Sequence, residues 1–550
     1  MKKQGEESMT PIRHKKTMET ANDRERSLDL YIDTETADEV INHPPKQNVT
    51  STGHCTIEEL TAKVLTAFPP RLLDTHRGML CDRLSQTSQF KNSKEYNELV
   101  SFTSDLALDA SSQEAHIRKV VSTYFGYVTL SHRWGNHEPP LRRINGRGIY
   151  DLNSSSHGLS KLQSFCLASR ERGYSWAWSD TCCIDKESSA ELQEAIGSMF
   201  SWYRQSALTM VYLADVSETS TLSSSEWFKR GWTLQELLAP CSLLFFTRDW
   251  SLYRDISSNH KEDSTILGEL EQATGIMSQH LTGFYPNIDD ARSRLQWAST
   301  RVTTRPEDIS YSLFGIFDLH LPVMYGESAE NALGRLLGEV ISRSGDTSIL
   351  DWVGQSSKFH SCFPTTIAPY QTLSFQLPSP DLTAPPNMGW LRSFLTLRSV
   401  RRMHKMLSVL PRMQFINPKL ILPCIVHPIE TIRLTREDTS AAAHVYRIQG
   451  ADLMPIEITL SQPLENISGT AVPYVLIRPW SSNLLDASAM SNSTSARRWL
   501  TRMQQPFSAL LLKELSQTEY MRVASSSHIL ARPTDSVGVL KAKVTTLTIV

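Results

Sequence analysis

Cysteine is scarce in this 550-residue chain: there are eight, and no CxxC pair among them. That excludes a disulfide scaffold and the common paired-cysteine zinc modules, so no metal is expected. An excess of one charge is also lacking, with 56 Lys and Arg against 58 Asp and Glu. Such a chain is not held on nucleic acid by a dominant electrostatic attraction, and no nucleic-acid partner is expected. No apolar run approaches the ~18–20 residues of a membrane-spanning helix. The opening MKKQGEES leads into no apolar signal segment. The expectations are no integral membrane segment and a cytoplasmic location. There is no GxxxxGK[ST] phosphate loop either. The first 50 residues contain no Phe or Trp and hold 18 charged against 13 apolar residues. That composition cannot bury enough surface to offset the entropy of ordering, so residues 1–55 read as a disordered leader.

What is present is enough apolar material for real cores, 40% of the chain. IEELTAKVLTAF from Ile57 has helical apolar spacing, and PPRLLDTHRGMLC reads as a short strand after a Pro-Pro break. From Tyr127 strands and helices alternate. YVTLSHRWG reads as a strand, LSKLQSFCLASRERG as a helix, and WAWSDTCCI as a strand running to a polar loop at Asp185. SSAELQEAIGSMFSWYRQSA reads as a helix opened by a Ser188/Glu191 capping box. LTMVYLADV is a nearly all-apolar strand, SEWFKRGWTLQELLAP is helical to Pro240, and SLLFFTRDW is a further buried strand. Short connections between alternating elements predict an α/β core with a doubly wound parallel sheet. Sites in such sheets lie beyond the carboxyl ends of the strands, here at Ser131–Gly135 and Asp180–Glu187. Residues 251–355 read as a helical extension. From 356 to 550 short β-type runs such as LILPCIV, HVYRIQG and YVLIRPW predict a β-rich accessory domain. Residues 56–119 are expected to pack on the core, which occupies 120–250.

YVTLSHRWG, DTCCIDKESSAELQEAIGSMFSWYR and EWFKRGWTLQELLAP, in that order, resemble the signature blocks of the fungal heterokaryon incompatibility (HET) domain. The downstream WASTRVTTRPEDISYSLFGIFDLHLPVMYGE is similar to the segment that follows that domain in long family members. The resemblance spans roughly residues 71 to 352. It implies a role in fungal allorecognition, in which fusion of unlike cells triggers programmed cell death, or in related innate immune signalling. The HET fold also resembles the TIR domain. Trp232 and Glu236 fall in a WxxxE arrangement similar to that around the catalytic glutamate of NAD-cleaving TIR domains. The resemblance therefore implies an NAD glycohydrolase, with NAD as substrate and no resident cofactor, as the enzyme reading. It also implies self-association on activation, beside an unidentified protein partner of the recognition system.

The residues themselves suit that chemistry. Positions four apart share a helix face, which would set Trp232 beside Glu236 with Leu234, Leu237 and Leu238 on the other side. An indole can stack on a nucleotide ring while a carboxylate binds ribose hydroxyls and stabilises oxocarbenium character as an N-glycosidic bond breaks. His132 and Arg133, after the first core strand, are placed to contact a diphosphate, and Ser131 to add a hydroxyl donor. Asp180 lies on the second candidate loop. The plainer alternatives are that Trp232 is packing and that Glu236 is a surface carboxylate paired with Arg230 or Lys229. Under them the domain is a non-catalytic interaction module. Cys182 and Cys183 with His132 form a weaker thiol-and-base combination. The basic stretch Arg398–Arg412 suits an acidic partner, lipid headgroups or a solvated helix face.

Overall fold

The computed structural model describes residues 56–103, 110–153, 156–373, 390–438, 443–465, 467, 473–480, 499–534 and 542–550. The leader expected at 1–55 lies outside the described residues. Internal contacts divide the chain into two compact units. The first takes the described residues up to 130 together with 136–183 and 205–209; the second takes 131–135, 184–204 and 210–550.

The first unit begins with helix α1 (Ile57–Ala67), where Thr56 and Glu59 form a reciprocal capping box and Ile57, Leu60, Val64 and Leu65 are buried. Strands β1 (Arg71–Asp74) and β2 (Leu80–Asp82) follow as an antiparallel hairpin, where the sequence suggested one strand. The turn between them is made by Asp74, whose Oδ1 accepts from His76 N and Arg77 N, and by Gly78 at φ +68°. Helix α2 (Ala110–Tyr124) precedes β3 (Tyr127–His132), every residue of which is buried. Helix α3 (His157–Glu171) buries Leu159, Leu162, Phe165, Cys166 and Ala168, the apolar set its periodicity predicts, and the chain turns away at Gly173, φ +81°. Strand β4 (Trp176–Trp178) is shorter than expected. It stops before the cysteines, because Cys183 N turns back to Ser179 O at 2.9 Å.

In the second unit, helix α4 (Ser189–Gln205) buries Ile196, Met199, Phe200 and Tyr203. Only half of its expected capping box forms. Ser188 Oγ accepts from Glu191 N at 3.4 Å, but the Glu191 carboxylate accepts from Asp185 N at 2.7 Å instead. Strand β5 (Leu208–Tyr212), the short helix α5 (Thr233–Leu238) and strand β6 (Leu243–Phe246) come next. The six strands so far form one sheet in the order β2-β1-β4-β3-β5-β6. β3 and β4 are parallel, with Val128 opposite Ala177, whereas β1 runs antiparallel to β4 and to β2. The parallel pairing expected from the strand-helix alternation is present at β3–β4, within the span read as the core, and the β1–β2 hairpin of the N-terminal segment makes the whole sheet mixed. The five-residue β1–β2 connection is far too short for the crossover that parallel neighbours require.

Helices α6 (Ser264–Thr274), α7 (Ala291–Ala298) and α8 (Ala329–Ser344) are the longest in the region read as a helical extension, which also holds shorter helical turns. α6 is capped by Asp263 and closed by Gly275 at φ +69°; α8 is capped by Ser328 and closed by Gly345 at φ +62°. Helix α9 (Trp390–Ser408) leads into the β-rich region: β7 (Gln414–Ile416), β8 (Lys419–Asp438), β9 (Ala443–Gly450), β10 (Ile456–Leu460), β11 (Tyr474–Pro479), β12 (Phe507–Glu514), β13 (Glu519–Val523), β14 (Ile529–Ala531) and β15 (Lys543–Ile549). The long β8 pairs with both β11 and β15, which closes β8-β11-β12-β13-β15 into a ring with no free edge. Pro428 sits where β8 passes from pairing with β11 to pairing with β9, a place where a missing N–H costs little. Tyr446, Ile448, Ile458, Leu476, Phe507 and Leu511 form the core of this region.

Candidate functional site

The block EWFKRGWTLQELLAP, expected to be one helix, is in two pieces. A 3-10 turn spans Glu226–Lys229, Arg230 is extended at φ −83° and ψ 140°, and α5 then carries Glu236. The break is made by a segment far downstream. Val302 N donates to Lys229 O at 2.7 Å, and Gly231 N donates to Val302 O at 2.9 Å, so the groups that would continue the helix are already used. A Cβ on Gly231 would lie 2.5 Å from Thr303 Cγ2, so this crossing depends on the glycine.

Helix α5 is buried all round, from Thr233 to Leu238. The expected division into a ligand face with Trp232 and Glu236 and an anchoring face with the leucines is therefore corrected: no side of α5 faces solvent. A buried glutamate needs partners. Glu236 is 6% exposed, and its Oε2 accepts from Ser131 Oγ at 2.5 Å. Ser131, fully buried near the carboxyl end of β3, in turn accepts from Trp227 Nε1 at 2.9 Å. Lys229 pairs with Glu226 at 2.6 Å and Arg230 donates to Thr304 Oγ1 at 3.1 Å, so the surface ion pairs considered for Glu236 are replaced by a buried setting.

A cation stands behind this group. Arg301, 5% exposed, donates to Thr233 Oγ1 and to Arg230 O, both at 2.9 Å, and to Trp297 O at 3.2 Å. Thr233 Oγ1 lies 2.7 Å from Trp227 O. Burial drags the Arg301 guanidinium down to about 9, and the charge of Glu236 acts in the opposite direction. Carboxylate, hydroxyl, indole and guanidinium are thus tied through Ser131, Trp227 and Thr233 into one network. A dry network of this kind orients a negative charge and strengthens its field.

Trp232 goes elsewhere. Its side chain is half-buried, and Nε1 donates to Asp308 Oδ2 at 3.3 Å. Burial pushes the Asp308 carboxyl up, offset by hydrogen bonding from Trp232 and Tyr325; the Arg305 guanidinium lies 4.0 Å from the Tyr325 ring centre. The structure therefore brings Ser131 and Glu236 together and pairs Trp232 with Asp308. His132 is buried at the end of β3. Arg133 is exposed and enters no ion pair among the described residues. Beside it Trp134 is 47% exposed, with the Lys186 ammonium 3.5 Å from its ring centre. Asp180 belongs to the first unit, where its charge acts on Lys161, a buried lysine bonded to Glu138 at 2.5 Å.

The cysteine alternative loses its chemistry, since the Cys182 thiol is held well above its usual pKa by the hydrogen bond with Cys183 and by burial, which opposes the thiolate. Among the described residues no group of three or more His, Cys, Asp or Glu could hold a metal ion, and no helix is long and apolar enough to cross a membrane. Trp227, Thr233, Arg301 and Asp308 were not among the residues singled out from the sequence. Trp227 and Thr233 lie in the same block as Glu236, and Arg301 and Asp308 in the block that begins at Trp297, so the signal was proximity to Glu236 and a second block without an assigned role.

Residues 127–225 match the family described as "Heterokaryon incompatibility protein (HET)". The chain is also 42% identical over 223 residues to the "Vegetative incompatibility protein HET-E-1" of Podospora anserina. That alignment covers 38% of this chain and 16% of the relative's length. No solved structure matches. Ser131 lies within the matched family span, whereas Trp227, Glu236 and Arg301 lie beyond its end.

Proposed function

We propose that this chain acts in heterokaryon incompatibility as a non-self recognition protein that triggers programmed cell death, and that it does so by hydrolysing NAD at a TIR-like site centred on Glu236. The family match and the similarity to a vegetative incompatibility protein support the first part. The observation that carries the second is the Ser131–Glu236 bond, a buried carboxylate held near the carboxyl end of a core strand with Arg301 behind it. Cleavage of an N-glycosidic bond builds positive charge on the ribose ring, and a fixed carboxylate in a dry setting stabilises it. Arg133, exposed just beyond Ser131, supplies an anion contact for the diphosphate. In this reading the chain is at rest, because Glu236 is covered. Self-association on activation opens the site.

The burial of Glu236 also favours a second reading, in which the carboxylate only fastens α5 to β3 and the domain signals by self-association without chemistry. One experiment separates the two. Purified protein at high concentration is assayed for nicotinamide release from NAD beside Glu236→Gln, and both are expressed in cells. The enzyme reading expects release and killing by the wild type, and neither from a folded Glu236→Gln chain. Killing by both proteins with no release from either rules out catalysis.

A further inference from the structure

The residues from 382 to 429 contain no Asp or Glu and seven Lys and Arg, although the whole chain is nearly neutral. Helix α9 runs through this stretch. At about 100° per residue, Arg398, Arg401, Arg402 and Lys405 fall within an arc of about 100°. Val400, Met403 and Leu407 lie opposite and are buried against Ile425, Trp480, Trp499 and Met503. The packing therefore fixes which face looks outward, and all four cations on that face are exposed.

Among the described residues no carboxylate pairs with them. Lys419, further along, pairs with Glu519 at 2.5 Å. Arg398, Arg401, Arg402, Lys405 and Arg412 enter no ion pair among the described residues. The neighbouring strand β15, which packs on α9, adds the exposed Lys543 and no carboxylate. Apolar side chains stand among these charges: Met406, on the flank of the basic arc, is 43% exposed, and Val409, in the turn that ends the helix, is 76% exposed. A solvated helix face has no use for either. An acidic protein or a nucleic acid would match the charge and leave the apolar groups idle. An anionic bilayer surface satisfies both, with phosphates over the cations and acyl chains beneath Met406 and Val409.

We infer that the outer face of α9 is a docking surface for anionic lipid, which lays the β-rich region on a membrane without inserting a helix across it. The full chain should sediment with phosphatidylcholine vesicles that contain phosphatidylserine and not with phosphatidylcholine alone, and added salt should release it. Each cation near such a surface contributes roughly fivefold to partitioning, so charge reversal in Arg401→Glu/Arg402→Glu/Lys405→Glu should weaken binding by at least on the order of 100-fold. These side chains are exposed, so the thermal midpoint should stay within a few degrees of wild type. The charge-neutral variant Met406→Ser/Val409→Ser should lose roughly tenfold. Equal binding to both vesicle types, or full binding by the triple variant, overturns the assignment. So does failure to bind either vesicle, including the case in which an RNA oligonucleotide or polyglutamate is bound through the same three residues.

Discussion

Ser131 and Glu236 lie 105 positions apart in the chain and 2.5 Å apart in space, hydroxyl to carboxylate, with both side chains removed from water. The hydroxyl has a second duty, accepting from Trp227 Nε1 at 2.9 Å. A single oxygen therefore satisfies a buried anion and a buried indole N–H. Polar groups in such a position are costly to strand.

Ser131→Ala should destabilise the second unit by about 1–3 kcal/mol, since both the carboxylate oxygen and the indole lose their partner. Glu236→Gln keeps an oxygen to accept from Ser131 and should cost less. Denaturant unfolding of the two variants beside wild type checks the order. If Glu236→Gln proves the more damaging, the negative charge itself is holding the fold through Arg301.

Arg301 makes three hydrogen bonds from one planar group, which a lysine cannot reproduce. Both Arg301→Lys and Arg301→Met should fall below wild type, by about 3–5 kcal/mol for the latter, because Glu236 is then left with an uncompensated charge. Combining Arg301→Met with Glu236→Gln should recover part of the loss. Strict additivity in that double-mutant cycle would show that the two do not communicate.

Gly231→Ala should cost about 1–3 kcal/mol, from a Cβ placed 2.5 Å from Thr303 Cγ2. Thr303→Ser removes that methyl and keeps the hydroxyl that donates to Arg305 O at 2.6 Å. The double variant Gly231→Ala/Thr303→Ser should therefore regain most of the stability. Thermal midpoints of the three proteins test this directly, and no recovery would place the glycine's role in its backbone rather than in the close approach.

Lys261 supplies the pH prediction. It is buried beyond the end of α5, donating to Pro240 O at 2.7 Å and Leu238 O at 3.4 Å, and burial drags its ammonium down to about 7. Between about pH 7 and 10.5 the unfolded chain keeps a proton that the folded chain has released, so stability from this group rises with pH across that window and is constant below it. The rise is at most about 1.4 kcal/mol per pH unit. Wild type minus Lys261→Met, followed by denaturant unfolding from pH 7 to 10, should slope upward; parallel profiles would mean that the ammonium stays charged in the fold.

Much of the architecture could be read from the one-dimensional pattern, because it is local. The apolar spacing of α1, α3 and α4 announces their buried faces, and the all-apolar run of β5 announces a covered strand. Glu236 and Ser131 were both singled out, each by its position in a block, and the basic run of α9 was visible as composition. What neighbours in sequence cannot show is which distant groups consume a hydrogen bond. Arg230 leaves the helix because Val302 takes its flanking backbone groups, Trp232 turns to Asp308, and Glu191 leaves its capping box for Asp185. The closure of β8 with β15 and the choice of the outward face of α9 are likewise settled by packing partners more than a hundred residues or a whole helix width away. Composition and periodicity determined where the chain would bury itself; only the tertiary structure decided which buried polar groups would meet, because each donor and acceptor is free to choose until the rest of the chain has closed around it.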